Sequence, residues 1–405
     1  MVTLEEVQAA LGRVRDRIYL SPCARSETLS RLTGCDAYLK LENLQMTGSY
    51  KERGALNTLL TLPPEARERG LIAASAGNHA QGVAYHAGRL GVSATIVMPE
   101  TTPIIKVSST RAHGARVILH GGGYDDAYAE ARRLEQAERL TFIHPFDDAA
   151  VIAGQGTVGL ELLEQVPDLE AVVVPVGGGG LVSGVAVAIK TQLPSVKVIG
   201  VEAEVLPCMK AAVETGRPVT LDAASSLADG IAVKRAGELT LGHVKAWVDD
   251  LVTVSEEEIA SAILYLLERE KTVAEGAGAV SVAALMQHRI PGLAARRVAA
   301  VVSGGNIDVN LIARIIERGL VKDGRLARIS VALMDKPGQL ARVSSIVANH
   351  RANVIEVHHT RAFASRIGDT TLQLTLETRG PEHVEEILQA LRERGYTVQQ
   401  IRGLA

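Results

Sequence analysis

The sequence predicts an α/β protein. A two-lobed region with parallel-rich sheets spans residues 1–321, a linker covers 322–326, and a βαββαβ module fills 327–405. Three observations carry this reading. From about residue 65 to 145, helical patterns alternate with short apolar strands, the arrangement of a parallel sheet. Ala171 to Val176 is a continuous apolar run, as expected of a strand covered on both faces. After Val321 the composition changes through the polar turn Lys322-Asp323-Gly324-Arg325, and strands and helices follow in another order. At 405 residues the chain is long enough for roughly two to three domains with buried cores.

Residues 3 to 15 read as an amphipathic helix, with Thr3 as N-cap and Glu6 three positions on. Tyr38 to Glu42 alternates like a strand and leads into the turn before Lys51. The smaller lobe, roughly 50–145 and inserted in the larger, follows as helix 80–90, strand 94–98, helix 103–113, strand 117–119 and helix 124–138. Gly154-Gln155-Gly156 reads as a glycine-punctuated loop, with a helix from Thr157. Val198 to Glu202 and Val298 to Val302 repeat the buried-strand character, and there is no exact internal repeat. The tail reads as strand 327–334, helix 337–350, strand 353–362, strand 369–377, helix 381–394 and strand 397–402, an order that fits a ferredoxin-like split βαβ module. Arg361 to Gly368 is the hairpin loop between its middle strands. His358 and His359 are adjacent, so on a strand they point to opposite faces and make no same-face metal pair.

A formal net charge of −3, with both signs mixed, provides no broad basic field for nucleic acid or an anionic membrane. No stretch reaches the ~20 apolar residues of a membrane span, and the N-terminus lacks a signal pattern. Cys23, Cys35 and Cys208 match no zinc or disulfide framework, which suits a reducing compartment. The expectation is a soluble, cytoplasmic protein.

Four short stretches carry chemistry. Thr47 to Ala55 puts one lysine, Lys51, between a glycine turn and an incipient helix. Its amine serves as nucleophile or base only if desolvation or a cationic neighbour brings its pKa well below about 10.4; a lone lysine is otherwise a solvated surface group. Gly177-Gly178-Gly179-Gly180-Leu181 follows the apolar strand and opens the helix Val182 to Lys190, where backbone amides can converge on a phosphate. The spacing matches neither a dinucleotide fingerprint nor a P-loop, and a plain tight turn is the alternative. Ser75-Ala76-Gly77-Asn78-His79 is a small polar loop able to hold a carboxylate, with Asn78 able to donate an N–H to a phenolic oxygen. Ser303 ends a strand, where ligands bind in parallel sheets, and can hydrogen-bond a ring nitrogen without protonating it. An amine able to form an imine, a phosphate cradle, an amide and a hydroxyl together describe the four handles of pyridoxal phosphate.

Here the chain resembles the fold type II pyridoxal-phosphate enzymes, and among them the threonine dehydratases (threonine ammonia-lyases). The resemblance rests on Gly48 to Ala55, Ser75 to Gly82, His144 to Asp148, Gly154 to Thr157, the tetraglycine loop, Glu275 to Gly278 and Ser303 to Asn306, which fall in family order between about residues 20 and 320. The family usually has Phe where Tyr50 stands, a departure that keeps the ring. The tail, through Asp335 to Ala341 and Ala352 to Val354, resembles an ACT regulatory domain.

The resemblance implies that Lys51 holds the cofactor as an imine beside Tyr50. Gly177, Gly178, Gly179, Gly180 and Leu181 would hold its phosphate, Asn78 its ring oxygen and Ser303 its ring nitrogen. Ser75, Ala76, Gly77, Asn78 and His79 would take the substrate carboxylate, and Lys51 would remove the Cα proton. The implied reaction is elimination from L-threonine to 2-oxobutanoate and ammonia, with L-serine to pyruvate as a second activity. Asp335, Gly338 and Asn353 are the effector contacts it implies. Isoleucine is the first effector to try if the role is biosynthetic, and a catabolic role stays open. It also implies a homodimer or homotetramer. No metal is expected in the catalytic region, because Glu202 and Glu204 are followed by Cys208 where racemase relatives complete a carboxylate site. Ala76 stands where serine racemases carry a serine, so elimination without racemisation is expected. The alternatives are a serine-preferring dehydratase and an amino-acid-binding regulatory protein that has lost its chemistry; retention of Lys51, Asn78 and Ser303 together weighs against the latter.

Overall fold

The computed structural model describes residues 1–360 and 368–401, in two compact units, Met1–Ile307 and Asp308–Ala405. The larger sheet of the first unit has six strands, in the order Cys23–Arg25, Asp36–Leu41, Arg297–Val302, Ala171–Pro175, Lys197–Ala203 and Asp250–Val254. Cys23–Arg25 pairs antiparallel at the edge and the remaining pairings are parallel. A smaller, all-parallel sheet runs Arg116–Leu119, Ala94–Met98, Leu71–Ala74, Thr141–Phe142. Its central strands Leu71–Ala74 and Ala94–Met98 are buried at every residue, as is Ala171–Pro175 in the larger sheet. Helices cover both faces of such strands, which is why their sequences read as apolar runs and not as alternation.

Local chemistry sets the helix boundaries. Helix Leu4–Val14 begins with a capping box, in which Thr3 N donates to Glu6 Oε2 (2.8 Å) and Glu6 N to Thr3 Oγ1 (3.4 Å). One expectation is corrected: Gly154-Gln155-Gly156 is not a loop but the interior of helix Ala149–Gln165, capped by Asp148 Oδ1 on Val151 N (2.9 Å). The glycines are there for close approach. A Cβ at Gly154 would lie 2.7 Å from the Arg53 carbonyl oxygen, and one at Gly156 would lie 2.8 Å from that of Gly184. This helix therefore packs nearly backbone to backbone against helices Lys51–Thr61 and Gly180–Gln192.

The second unit opens with helix Val309–Lys322 and continues as Leu326–Met334, helix Gln339–Asn349, Asn353–Thr360, Asp369–Glu377, helix Pro381–Glu393 and Thr397–Ile401. Its antiparallel sheet has the order Asn353–Thr360, Asp369–Glu377, Leu326–Met334, Thr397–Ile401, the ferredoxin-like arrangement expected from the element order. Burial alternates along Leu326–Met334, and Ile329, Val331, Leu333, Val343, Leu372, Leu374 and Ile387 form a core under the helices. His358 and His359 are both exposed on the edge strand, opposite Gln373 and Leu372. Residues 361–367 of the expected hairpin loop 361–368, residues 361–362 of the strand expected at 353–362 and residue 402 of the last strand lie outside the described residues. Among the described residues no helix is long and apolar enough to cross a membrane.

Candidate active site

Lys51 is the first residue of helix Lys51–Thr61. Two bonds join the preceding turn to the end of strand Arg297–Val302: Tyr50 N donates to Ser303 O (3.1 Å) and Gly305 N to Gly48 O (2.9 Å). Lys51 and Ser303, 252 positions apart in sequence (303 − 51), thus meet at one sheet end. Lys51 Nζ donates to Pro145 O (2.8 Å) and lies 5.4 Å from the centroid of the Tyr50 ring. Burial pulls its pKa down to about 8, partly countered by the Glu275 carboxylate. Burial also pushes the Tyr50 phenol up, so it stays protonated.

Gly177 to Leu181 link strand Ala171–Pro175 to helix Gly180–Gln192. Gly179 has φ +95°, a left-handed conformation that turns the chain into the helix. A Cβ at Gly178 would collide with the Phe146 ring, so the loop has no room for a side chain there. Among the described residues, the backbone N–H groups from Gly177 to Val182 meet no protein acceptor, and all of these residues but Gly177 are buried. Buried donors without partners at a helix N-terminus are what a phosphate would satisfy. Pro145 and Phe146 join the two features, the former at Lys51 and the latter at the cradle.

The Ser75 to His79 loop runs from strand Leu71–Ala74 into helix Asn78–Arg89. Ser75 N is taken by Val97 O (3.1 Å) and Gly77 N by Ser75 Oγ (3.2 Å), whereas the N–H groups of Ala76, Asn78 and His79 meet no acceptor among the described residues. His79 is buried against Ile143 O (3.0 Å), and burial with the nearby Lys51 charge brings its pKa down to about 3, so its ring is neutral and packs beneath the loop. Asn78 Nδ2 donates to Glu275 Oε1 (2.6 Å), and Asn78 Oδ1 accepts from Asn306 Nδ2 (2.8 Å). Burial raises the Glu275 carboxyl to about 7, with Asp229 adding to the rise and Asn78 opposing it. Ser303 Oγ is buried and donates to Ala277 O (3.3 Å), a long bond that a better acceptor would replace.

Sequence reasoning assigned no role to Glu275 or Asn306, although both stood inside the quoted motifs. It also passed over the ionic cluster beneath Lys51. Arg53 donates to both Glu42 oxygens (2.7 Å each) and to Glu161 (2.6 and 2.8 Å), and Lys40 Nζ donates to Glu161 Oε2 (2.6 Å). Burial pushes Glu42 up, but the Arg53 and Lys40 charges outweigh it and hold the carboxyl below its ordinary range. Arg53 lies on a helix buried along most of its length, a burial that only the structure shows.

Glu202 spends both carboxylate oxygens on the N–H groups of Met209 and Lys210 (2.8 Å each), capping helix Cys208–Thr215, and burial pushes it up to about 7. Burial, with Glu202 close by, pushes the Cys208 thiol up to about 12. In the second unit Asp335 and Gly338 share the loop before helix Gln339–Asn349, and Asn353 opens the edge strand with its amide on Glu377 (3.4 Å).

The residues fit pyridoxal phosphate: an amine held in a desolvated pocket, a cradle of unpartnered N–H groups, and a weakly engaged hydroxyl at a strand end. Comparisons with known proteins agree. Residues 14–304 match the family described as pyridoxal-phosphate dependent enzyme, and residues 327–395 match the ACT domain. The chain is 52% identical to L-threonine ammonia-lyase of Thermotoga maritima over 399 residues, 98% of this chain and 99% of that one. It is 42% identical over 315 residues to the catabolic L-threonine dehydratase TdcB of Escherichia coli K12, covering 78% of this chain and 96% of that one. The processed form of threonine deaminase isoform 2 from Solanum lycopersicum superposes with a TM-score of 0.73 at 38% identity, over 77% of this chain and 87% of that one. The chain belongs to the pyridoxal-phosphate-dependent enzymes, in the threonine ammonia-lyase family, and carries a C-terminal ACT domain of its own.

Proposed function

We propose that the chain converts L-threonine to 2-oxobutanoate and ammonia and L-serine to pyruvate and ammonia, and that a free amino acid bound to the C-terminal unit regulates it. The observation that carries the catalytic part is Lys51, a desolvated amine stitched to the Ser303 turn and joined through Pro145 and Phe146 to a cradle of free N–H groups. When bound, pyridoxal phosphate supplies the electron sink that makes the substrate Cα–H acidic. Lys51 Nζ, with a pKa near 8, takes that proton as general base. The N–H groups of Ala76, Asn78 and His79 hold the substrate carboxylate, Ser303 Oγ meets the ring nitrogen, and Gly177 to Leu181 hold the phosphate. Neutral His79 and the half-buried Tyr50 exclude water and add no charge. Asp335, Gly338 and Asn353 are the proposed effector contacts, and a homodimer or homotetramer in the cytoplasm is the proposed setting. The catalytic division of labour places residues 1–321 in chemistry and 327–405 in control, with 322–326 as the linker.

The test is the absorbance spectrum of the purified protein, followed by a 2-oxo acid assay with threonine and with serine. A visible cofactor band with 2-oxobutanoate formed from threonine is expected. Pyruvate from serine without 2-oxobutanoate from threonine would establish the serine-preferring alternative, and a band with neither product would sink the catalytic proposal.

A further inference from the structure

The family resemblance assigns the Asn78 side chain to the cofactor's ring oxygen, and the surrounding hydrogen bonds decide how its amide faces. A carboxamide carries donors at one end and an acceptor at the other, so reversing it inverts its recognition. The chain of bonds starts at a group whose polarity is fixed: the Thr47 carbonyl oxygen only accepts, and Asn306 Nδ2 donates to it (2.7 Å). The nitrogen end of Asn306 is therefore set, and its remaining N–H goes to Asn78 Oδ1 (2.8 Å). Asn78 must then turn its own nitrogen away from Asn306, where one N–H meets Glu275 Oε1 (2.6 Å). Its second N–H meets no acceptor among the described residues. Reversing Asn78 would face two NH2 groups together and, with Glu275 ionised, set a carbonyl oxygen against a carboxylate oxygen. The packing protects the array: a Cβ at Gly304 would strike Glu275 Oε1 and sit 3.2 Å from Asn78 Nδ2, and one at Gly48 would strike the Asn306 amide.

We propose that Asn306 and Glu275 are positioning residues that lock the Asn78 amide with its spare N–H committed to the cofactor's ring oxygen. The inference rests on the reading that Asn78 contacts that oxygen. Asn306 offers a donor on one side and Glu275 an acceptor on the other, and the two bonds together hold one amide orientation, so loss of either one releases it.

The test compares holoprotein carrying Asn78→Ala, Asn306→Asp, Glu275→Leu or Glu275→Gln. The readouts are the position of the cofactor's visible absorbance band, which reports hydrogen bonding at the ring oxygen, and the dissociation constant for pyridoxal phosphate. Asn306→Asp, which offers Asn78 only an acceptor, and Glu275→Leu are expected to move the band in the same direction as Asn78→Ala. Both are expected to weaken cofactor retention about 10-fold, the scale of one lost hydrogen bond. Glu275→Gln, whose amide oxygen still accepts, is expected to keep the wild-type band. Because the two locks are probed independently, misfolding of one variant leaves the other to decide. If Asn78→Ala moves the band while Asn306→Asp and Glu275→Leu only lower the melting temperature, the positioning role is overturned and the contact by Asn78 stands. If Asn78→Ala itself leaves the band and retention unchanged, the contact by Asn78 falls and the positioning role falls with it.

Discussion

At the scale of the residue, the desolvated Lys51 amine costs folding stability for the chemistry proposed of it. Its ordinary pKa of 10.5 falls to about 8, so between those values the unfolded chain holds a proton that the folded chain has released. Stability rises with pH across that window, and the full penalty of burying the charge is present below about 8. Cofactor-free Lys51→Met is thus expected to be more stable than wild type at pH 7 by about 2 kcal/mol, discounted for the part of the side chain that faces the cleft. The gap should close towards pH 10.5, and urea denaturation at several pH values checks it. The same shift predicts that cofactor capture by the apoprotein follows a midpoint near about 8, since only the free amine attacks. Lys51→Ala should lose both the visible band and turnover. Ala76 makes a separate prediction. Racemisation needs a second acid on the face opposite Lys51, and a methyl group donates no proton. Chiral analysis of L-serine left with the enzyme should find little D-serine beside the pyruvate, and Ala76→Ser should raise the D-serine fraction.

At the scale of the element, the helix Ala149–Gln165 shows two ways a glycine acts. Glycine in a helix interior costs roughly 1 kcal/mol relative to alanine when nothing else intervenes. Gly12, exposed on helix Leu4–Val14 with nothing near its missing Cβ, should therefore gain up to about 1 kcal/mol on Gly12→Ala. Gly154→Ala should instead lose about 1–3 kcal/mol, because the new Cβ meets Arg53 O and Gly54 Cα at 2.7 Å and backbone has to move. Thermal melts of the two variants should thus shift in opposite directions. Between helices Lys51–Thr61 and Ala149–Gln165, Arg53→Met should cost about 3–5 kcal/mol by leaving the buried carboxylates of Glu42 and Glu161 with Lys40 as their remaining shared cation. The helix also marks where sequence reading stops. Strands such as Ala171–Pro175 were legible because burial on both faces imposes an apolar run, and Lys51 because small residues and a helix start surround it. Gly154-Gln155-Gly156 misled because the sequence signal of a turn and that of a close helix crossing are the same residue. Glu275 and Asn306 carried no visible role because their partner Asn78 lies 197 and 228 residues away.

At the scale of the whole molecule, the proposed division between chemistry and control rests on where the cores lie. Every group proposed for the cofactor lies at or before Asn306, within Met1–Ile307, while the core of the second unit draws only on residues between Ala327 and Val398. The Escherichia coli dehydratase matches this chain over 96% of its own length while covering 78% of this one, so a relative of that kind has no counterpart to the remaining length. A chain ending near Arg325 should consequently keep the visible cofactor band and the 2-oxo acid activity. Helix Val309–Lys322 would lose its neighbouring strand Leu326–Met334, so lower solubility is expected of the shortened chain without loss of the band. What it should lose is the response to a free amino acid. In the full chain, isoleucine is the first effector to test, and couplings of this kind shift half-saturation about 5- to 150-fold. Linkage requires threonine to change the affinity for the effector by the same factor, so calorimetric titration of effector with and without a non-reacting substrate analogue gives a second estimate of one quantity. Agreement of the two factors in the full chain, with no effector heat in the shortened one, would place control in residues 327–405. A shortened chain that keeps the oligomeric state of the full chain, yet has lost cofactor and turnover together, would show that the C-terminal unit takes part in building the active site.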